Sequence, residues 1–510
     1  MMTIEAGRAY KIPFDTTGVY VDEHGVKRYQ RLPESLTTMF RASVEAHPDV
    51  EAIVEVGGPR YTYRQLWERA ATVAGGLRAR GVQRGDRVAN LLPAGANWVI
   101  AFLATQLAGA IVVPVNTRFA PPEIEYVLSD SGVAFTFWPG EPLPEGTALV
   151  VDDAKPTDVA AIFYTSGTTG FPKGALTTHE NFLSTIETSI RVFGLGRSEG
   201  PKLRNLISVP LFHVTGCNAQ LLVQLAVGGT TVVLPEFDVQ AFLSTIVTEH
   251  VNVIVSVPAI FALALVQGNF ADYDVSGVSF IGYGGAPISP LLVERLKAGF
   301  PNARVGNGFG LTETASIATF LPHDWAAEHA DSVGFAAPVV DLALADQDPT
   351  TGVGELLVRG PNVVAGYWNK PEATESAFVD GWLHTGDLAR IDDEGLVYIV
   401  DRAKDVINRG GENVYSVEVE NALAGAPGVA DAAVVAVPDE VMGEKVGAVV
   451  VPSTADFDVA GLIAYLRPLL ADFKVPQYIS VRTQPLPRNP GGKLLKRQLR
   501  EQTTWGEALR

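Results

Sequence analysis

Ten residues, Thr165–Gly174, concentrate chemical groups that bind phosphate. They include four hydroxyl side chains, three glycines and Lys173. Glycines allow positive φ and close approach of the backbone, so that successive N–H groups can converge on an anion. A Walker A loop has Ser or Thr directly after its lysine, whereas Gly174 stands there in this chain. The apolar run Val159–Phe163 precedes the segment and is typical of a buried strand. We therefore predict a phosphate-binding loop at a strand end, with an ordinary flexible surface loop as the alternative.

Three further strand-like runs end in polar or glycine-rich turns. Ser279–Tyr283 precedes Gly284–Pro287, Arg304–Phe309 precedes Gly310–Glu313, and a third run ends shortly before His213. In open α/β sheets, ligands bind beyond the carboxyl ends of the strands. We expect these turns to line one crevice together with the phosphate-binding loop.

Composition indicates a large folded protein. Of its 510 residues, 47% are hydrophobic and 19% are charged, which allows an extensive core. The formal net charge of −18 argues against nucleic acid as a partner. The single cysteine, Cys217, excludes an internal disulfide and fits a reducing cytoplasm. Two long uncharged stretches, 97–116 and 206–235, contain polar residues or proline, so we interpret them as buried core rather than transmembrane segments.

Alternating strand and helix patterns predict parallel βαβ units as far as residue 309. Short strands and tight turns follow from residue 352, and the tail after Asp405 is long enough for its own α+β domain. We predict an α/β fold with a large N-terminal domain, 1–402, of βαβ-type sheets and a small β-rich subdomain. A small α+β C-terminal domain, 403–510, completes the chain. The Pro-, Gly- and Asp-rich segment 139–158 is predicted to be a surface connector.

These segments resemble the signature motifs of the adenylate-forming superfamily, which includes acyl-CoA synthetases, luciferases and adenylation domains of peptide synthetases. Thr165–Gly174 is similar to its phosphate loop, and Gly308–Glu313 to its aromatic-Gly-x-Thr-Glu motif. Thr385–Asp387 resembles the motif whose aspartate binds the ribose, and Pro487–Lys493 resembles the mobile loop that carries the catalytic lysine. The resemblance covers most of the chain and indicates an acyl-CoA synthetase of the fatty-acid–CoA ligase type.

The resemblance implies roles for the matching residues. The predicted catalytic residues are Lys493, Thr312, Glu313 and His213, and Glu313 and Thr168 would bind Mg²⁺. The ring of Phe309, where the family more often has tyrosine, would stack on adenine. Gly491 replaces the usual threonine of the lysine loop. The predicted ATP- and AMP-binding residues are Thr165, Ser166, Gly167, Thr168, Thr169, Gly170, Lys173, Gly284, Gly285, Ala286, Pro287, Gly308, Phe309, Gly310, Asp387 and Arg402.

The resemblance also predicts how the acid and the thiol are bound. Lys404 falls at the hinge about which the small domain turns, making that domain a mobile lid. The CoA-binding residues would be Arg409, Gly410, Gly411 and Glu412. None of the predicted acyl-pocket residues carries a charge that would pair an amino group, which favours a medium- or long-chain fatty acid or similar apolar acid. These pocket residues are Val214, Gly216, Cys217, Val257, Pro258 and Tyr283.

The implied reaction joins a small-molecule carboxylic acid to CoA with ATP and Mg²⁺, through an acyl-AMP intermediate. The alternatives are an aryl-acid CoA ligase and an acyl-AMP ligase that loads an acyl carrier protein. The segment between Pro361 and Asp405 has no obvious insertion of the kind that acyl-AMP ligases carry, which favours CoA. Luciferase-type oxidation is a more distant alternative. A non-enzymatic nucleotide-binding module, which would not need Lys493, is the contrasting class, and a homodimer is left open.

Overall fold

The computed structural model describes most of the chain as a mixed α/β protein. The described residues are 12–165, 172–286, 288–410, 412–454, 456–488 and 494–509. Their helices are α1 (Leu36–Ala46), α2 (Tyr63–Ala79), α3 (Ala96–Leu107), α4 (Pro121–Ser131), α5 (His179–Phe193), α6 (Val214–Gly216), α7 (Leu222–Val227), α8 (Val239–Thr248), α9 (Pro258–Leu265), α10 (Pro290–Gly299), α11 (Pro371–Ala377), α12 (Ser416–Ala424), α13 (Val459–Leu466) and α14 (Lys496–Gln502). A π-helical stretch, Cys217–Leu221, joins α6 to α7.

The strands of the described residues form four larger sheets and one short hairpin. In chain order they are β1 (Val19–Val21), β2 (Lys27–Tyr29), β3 (Glu51–Glu55), β4 (Arg60–Thr62), β5 (Arg87–Asn90), β6 (Ile111–Pro114), β7 (Val133–Phe137), β8 (Val159–Thr165), β9 (Lys173–Thr178), β10 (Arg204–Ile207), β11 (Thr230–Val233), β12 (Val253–Ser256), β13 (Phe280–Gly284), β14 (Arg304–Phe309), β15 (Thr319–Leu321), β16 (Phe335–Ala336), β17 (Asp341–Ala345), β18 (Gly354–Arg359), β19 (Phe378–Val379), β20 (Trp382–Ile391), β21 (Val397–Arg402), β22 (Ile407–Arg409), β23 (Glu412–Val414), β24 (Val429–Asp439), β25 (Gly443–Pro452) and β26 (Tyr478–Val481).

Two mostly parallel sheets make up the larger part of the molecule. One has the order β7-β5-β6-β8-β9, and the other has the order β16-β15-β14-β13-β12-β10-β11-β3-β4. The internal pairs are parallel, and antiparallel strands lie at the edges, namely β9, β4, β15 and β16. The predicted βαβ architecture is confirmed, since parallel neighbours require helical crossovers.

Helix α3 connects the two sheets, and all of its residues except Asn97 are buried. It contacts β5 and β6 of the first sheet and β3 of the second. A helix that is apolar on all sides has no face for water and must lie within the core. Its Trp98 and Phe102 rings stack with centroids 5.5 Å apart. Among the described residues, no helix combines the length and hydrophobicity needed to cross a membrane.

The remainder of the chain is β-rich and ends in an α+β unit. Strands β17, β18, β19, β20 and β21 form an antiparallel sheet. After Arg402, the sheet β23-β22-β25-β24, extended by β26, packs against α12 and α13 around its own apolar core. The predicted fold class, a large N-terminal domain followed by a smaller C-terminal one, is confirmed. The boundary at residue 402 stays a prediction.

The segment 139–158 is only partly the surface connector that its composition predicts. Leu143 is buried, and the chain beyond it packs against two glycines of α2. A Cβ atom at Gly75 would lie 1.8 Å from the carbonyl oxygen of Thr147, and one at Gly76 would lie 2.4 Å from the carbonyl carbon of Pro144. The prediction was wrong for this part, because glycines far away in sequence create a groove that composition does not reveal.

Candidate active site

The predicted phosphate-binding loop begins and ends on an antiparallel strand pair. Thr165 at the end of β8 lies directly opposite Lys173 at the start of β9. The loop's ends are thereby fixed next to each other. The ATP-binding predictions for Ser166, Gly167, Thr168, Thr169 and Gly170, including the magnesium role of Thr168, lie outside the described residues.

Lys173, Tyr367 and Glu313 form a line of contacts beside that loop. The Lys173 ammonium lies 5.2 Å from the centre of the Tyr367 ring. The Tyr367 hydroxyl donates a hydrogen bond of 2.7 Å to Oε1 of Glu313. Burial, together with the Glu313 carboxylate, raises the pKa of the Tyr367 hydroxyl far above its usual range, so it stays a donor. This line joins the hairpin to the Thr312–Glu313 motif.

The backbone holds Tyr367 in place. Leu176 of β9 donates its N–H to the carbonyl of Gly366, 2.9 Å away, and Trp368 donates its N–H to the carbonyl of Gly174, 2.8 Å away. The Trp368 indole also donates to the carbonyl of Asp130, at the end of α4. The tyrosine ring is therefore fixed against the strand that carries Lys173.

The carboxyl ends of β13 and β14 form the wall of a cavity. Gly284 lies opposite Gly308 in the parallel register, and a Cβ atom at Gly284 would be 2.1 Å from the Gly308 carbonyl oxygen. Only glycine fits this approach of two backbones. The residues that line the cavity are Phe193, Val214, Thr215, Ala219, Val255, Gly282, Tyr283, Gly284, Gly285, Gly308, Phe309, Gly310, Ser316, Ile317 and Phe320.

The predicted nucleotide-binding and acyl-pocket residues meet at this cavity in part. Gly284, Gly285, Gly308, Phe309 and Gly310 of the former set line it, together with Val214 and Tyr283 of the latter. Ala286 follows in the turn after β13, and Pro287 lies outside the described residues.

Tyr283 borders the cavity differently from the prediction. Its side chain packs with Ile254 and Ile281 in the cluster on the other face of the sheet. Because successive residues of a strand point to opposite faces, the cavity faces Gly282 and Gly284 instead. Tyr283 therefore contributes main chain rather than a phenol ring.

Among the described residues, four other predicted acyl-pocket residues do not line this cavity. These are Gly216, Cys217, Val257 and Pro258. Cys217 is fully buried, and this burial raises the pKa of its thiol, so it acts as a small hydrophobic side chain. Val257 approaches the turn, since its Cγ1 would lie 3.8 Å from a Cβ atom at Gly285. His213 is half-buried, and its ring centre lies 4.9 Å from that of Phe212.

The turn after Glu313 is held in an unusual backbone conformation. Ala315 has φ 51° and Ser316 has φ 127°, values that residues with a Cβ atom rarely adopt. Buried amides stabilise this turn: Asn218 donates to the Ala315 carbonyl at 2.8 Å, and Asn362 donates to the Thr314 and Ile317 carbonyls. Such strain persists only where the surroundings enforce it, and it is concentrated at functional sites.

The predicted ribose contacts lie side by side on β20 and β21. Asp387 faces Arg402 in the antiparallel register, and Arg402 Nε is 2.7 Å from Asp387 Oδ1. The Asp387 side chain is almost completely buried. Lys404 follows in the next turn, where partial desolvation, opposed by the Asp405 carboxylate and aided by the charges of Arg402 and Arg500, lowers the pKa of its ammonium.

The predicted CoA contacts form the tip of a hairpin in the C-terminal unit. Arg409 of β22 lies opposite Glu412 of β23, and Gly410 adopts φ 63° between them. Gly410 and Glu412 are exposed, and Gly411 lies outside the described residues.

The predicted catalytic Lys493 also lies outside the described residues, but both ends of its loop are described. Arg488 forms an antiparallel bridge with Leu494, and Leu495 donates its N–H to the Pro487 carbonyl at 2.9 Å. Arg488 is also paired with Asp431, 2.8 Å away. The loop is therefore attached at both ends to the C-terminal unit.

Sequence reasoning missed several residues of the site. Tyr367 lies 54 positions from its partner Glu313, and Asn362 lies 45 and 48 positions from the two carbonyls it binds. Phe193 and Phe320 reach the cavity from α5 and β15. A weak signal existed for Tyr367 alone, as an aromatic residue following a glycine, but nothing local indicates its partner.

A cavity at strand ends, a hydroxyl-rich segment after β8 and a smaller C-terminal α+β unit are the features of an adenylate-forming enzyme. The chain belongs to the AMP-binding enzyme family: the AMP-binding enzyme model matches residues 40–368, and that for the AMP-binding enzyme C-terminal domain matches residues 418–493. The resemblance drawn from the motifs is thereby confirmed, and so is the classification as an adenylate-forming CoA ligase.

Curated relatives and solved structures agree with this assignment. A feruloyl-CoA synthase of Amycolatopsis sp is 37% identical over 473 residues, covering 88% of this chain and 95% of the relative. The long-chain-fatty-acid–CoA ligase FadD13 of Mycobacterium tuberculosis (strain ATCC 25618 / H37Rv) is 35% identical over 498 residues, covering 91% and 97%.

The o-succinylbenzoate CoA synthetase (MenE) of Bacillus subtilis has the same fold. Its complex with the acyl-adenylate OSB-AMP has a TM-score of 0.83 at 31% identity, covering 92% of this chain and 99% of that one. Its complex with ATP and a magnesium ion has a TM-score of 0.81 at 31% identity, covering 90% and 98%.

Proposed function

We propose that this chain is an ATP-dependent ligase that joins an apolar carboxylic acid to CoA. In the first half-reaction, a carboxylate oxygen attacks the α-phosphorus of ATP and pyrophosphate leaves, giving acyl-AMP. In the second, the CoA thiol attacks the acyl carbon, AMP leaves, and a thioester remains. The observation that supports this best is the cavity between β13, β14 and α6, whose lining includes Gly310 and Ser316 on either side of the Thr312–Glu313 motif.

Residues on three elements would stabilise the first transition state. Lys173 and the hairpin loop would bind phosphate oxygens, and Phe309 would pack against the adenine ring. Their positions on strand ends matter because fixed groups need no reorganisation when charge develops. Asp387 and Arg402 would bind the ribose hydroxyls.

The donor set at Glu313 fits a magnesium ion that is carried mainly by phosphates. Mg²⁺ retains several waters and uses one or two protein carboxylates with substrate phosphates. Glu313 offers one partly exposed carboxylate, of which Oε1 accepts the Tyr367 hydrogen bond. When bound, the ion would neutralise negative charge on the phosphate groups.

The C-terminal unit would act as a lid that begins after Arg402 and turns about Lys404. Lys493 would enter the crevice for adenylation, and the hairpin at Arg409–Glu412 would face the thiol afterwards. The bridge between Arg488 and Leu494 supports this assignment, since it joins the two residues that flank the lysine loop within the C-terminal unit.

Purified protein should release pyrophosphate from ATP in the presence of a suitable acid, and thioester should form once CoA is added. Lys493→Ala should lower the rate of adenylation by about two orders of magnitude or more, as expected for loss of a transition-state charge contact. The same variant should convert supplied acyl-AMP and CoA to thioester at nearly the normal rate.

The control is Lys474→Ala, which removes another lysine of the C-terminal unit, paired with Glu418 at 2.8 Å. It should leave both half-reactions intact. Equal loss of both half-reactions in Lys493→Ala would refute the lysine assignment. Pyrophosphate release without thioester formation from CoA, but with loading of an acyl carrier protein, would identify a carrier-protein ligase. Absence of turnover with every acid would refute the ligase function and favour the non-enzymatic nucleotide-binding module.

A further inference from the structure

The inner end of the acyl cavity is closed by aromatic side chains. Along β13 and β14, glycines occupy the face toward the cavity: Gly282 lies opposite Gly306, and Gly284 opposite Gly308. A surface without side chains leaves a flat floor along the strands. The floor starts at the predicted adenine segment and runs back toward the beginning of the strands.

Phe320 ends this floor. Phe320 on β15 pairs with Gly308 on β14, and its ring extends back over the glycines. A Cβ atom at Gly306 would lie 2.3 Å from Cζ of Phe320, whereas one at Gly308 would lie 3.8 Å from its Cδ2. The ring therefore covers Gly306 and leaves Gly308 uncovered.

Two more phenylalanines support that ring. Phe193, from the last turn of α5, has its ring centre 5.4 Å from that of Phe320 and 4.9 Å from that of Phe280. The Phe280 and Phe320 rings are stacked 6.5 Å apart. Phe320 and Phe193 are 2% and 3% exposed, so the cluster is closely packed and cannot yield without a change of core structure.

The uncovered floor is short. Gly284 and Gly282 are two residues apart, or about 7 Å at the rise of a strand. A Cβ atom at Gly282 would lie 3.2 Å from Cγ2 of Val255 and 3.3 Å from Cε1 of Phe280, so these two side chains already border the floor at Gly282. That length accommodates one planar ring or a few carbon atoms. An extended medium- or long-chain tail would collide with Phe320 and Phe193.

We propose that Phe320, supported by Phe193, sets the depth of the acyl cavity and selects compact, flat acids, meaning aromatic or short-chain carboxylic acids. This inference rests on the proposed ligase function and narrows its substrate class. It favours the aryl-acid alternative over the expectation of a medium- or long-chain fatty acid, which rested on the absence of charged residues from the predicted pocket.

The test measures acid-dependent pyrophosphate release with benzoic, cinnamic, butyric, octanoic and dodecanoic acids. The wild-type chain should prefer the aromatic and short acids. Phe320→Ala should shift the preference toward octanoic and dodecanoic acids by about tenfold or more in the ratio of kcat/KM values, since each methylene in a pocket is worth at least that order. Phe320→Leu, which keeps the core better filled, should shift the ratio in the same direction by less.

A converse variant shortens the floor. Gly308→Ala adds a methyl group that would be in ordinary van der Waals contact with Phe320. Gly308 does not have a positive φ, so alanine tolerates its backbone conformation. It should raise KM for cinnamic acid more than for butyric acid. The matched control is Phe300→Ala: Phe300 is equally buried, but it belongs to the cluster on the other face of the sheet, and its loss should leave the acid profile unchanged.

The outcomes separate the two proposals. Absence of turnover with every acid would reject the ligase function itself. Turnover with a wild-type preference for dodecanoic acid, or an unchanged profile in folded Phe320→Ala and Phe320→Leu, would reject the selector role while leaving the ligase function intact.

Discussion

At the scale of single residues, the site depends on which groups orient the carboxylate of Glu313. The Tyr367 hydroxyl donates to one of its oxygens, and the Tyr367 ring also contacts the Lys173 ammonium. One aromatic side chain thereby sets the distance between the acidic and basic groups that we propose to act on the phosphates. Without it, both side chains keep their charge but lose their orientation.

Tyr367→Phe should therefore lower kcat for adenylation by roughly tenfold, the order expected for one oriented hydrogen bond to a charged group. KM for the acid should change little, since the acyl cavity is untouched. Tyr398→Phe is the control, because Tyr398 also donates to a carboxylate, that of Asp392, but lies away from the motif. Stopped assays of pyrophosphate release at saturating ATP measure kcat, and an unchanged kcat in Tyr367→Phe would remove the positioning role.

At the scale of elements, α5 connects three parts of the N-terminal domain. Its first residue, His179, accepts the N–H of Leu36 through Nδ1, at the start of α1. Its Asn181 donates to the carbonyls of Pro361 and Val363, and its last residue, Phe193, lines the cavity at β13 and β14. One helix therefore contacts the start of α1, the segment 361–363 and the cavity.

Burial lowers the pKa of His179 from about 6.5 to about 4, with Asp158 opposing the shift. In the unfolded chain the ordinary pKa applies, so the unfolded state binds the extra proton first as the pH falls. The stability that neutral His179 contributes is complete above pH 6.5 and is lost as the pH approaches 4. We expect the free energy of unfolding to be about 2 kcal/mol lower at pH 5 than at pH 7.5 from this group.

Urea unfolding of the wild-type chain and of His179→Gln at both pH values measures this. The variant should be less stable at pH 7.5 but should depend less on pH. His24→Gln, which changes an exposed histidine, should keep the wild-type dependence. A pH dependence that His179→Gln leaves unaltered would contradict the assignment to this residue.

At the scale of the whole molecule, a buried polar cluster joins the interdomain strand to the lid. Asp401, at the end of β21, accepts hydrogen bonds from the backbone N–H and the hydroxyl of Ser416 in α12. Lys496, three residues after the predicted catalytic lysine, donates to the Ser416 hydroxyl and is paired with Glu420 at 2.8 Å. Asp401 precedes the proposed pivot at Lys404 and Ser416 follows it, so these hydrogen bonds would have to break when the C-terminal unit turns.

Lys404→Pro should slow the thiol half-reaction by about tenfold or more and should affect adenylation less, because proline fixes φ at the proposed pivot. The backbone hydrogen bonds flanking the position come from Ala403 and Asp405, so the substitution leaves both of those bonds in place. Lys404→Ala removes the charge but keeps backbone freedom, and it should behave like the wild-type chain. The assay measures thioester formation from supplied acyl-AMP and CoA. A normal rate in Lys404→Pro would eliminate the hinge assignment.

Much of the fold could be predicted because it follows from local patterns. The alternating strand and helix patterns predicted the parallel sheets, and the cavity-lining turns follow β13 and β14 where apolar runs give way to glycine. Periodicity decides which face is buried, and glycine decides where a backbone can turn or approach closely. These properties belong to residues that are neighbours along the chain.

The partners of the site residues could not be predicted in this way. The hydrogen bond from Tyr367 to Glu313, the amide contacts of Asn362 and the position of Phe320 over Gly306 all join residues that are far apart or on different strands. Each depends on how sheets, helices and turns pack, and no local pattern encodes that.

By itself, the sequence determined which chemical groups are available: a loop rich in hydroxyls and glycine after a strand, a Thr-Glu motif at a strand end, and a lysine near the C-terminus in a glycine-rich segment. Only the tertiary structure decided how Glu313 and Lys173 are oriented and which side chains close the cavity at β13 and β14. The physical reason is that residue types are fixed by the chain, whereas the space between them is fixed by side chains that pack from distant segments.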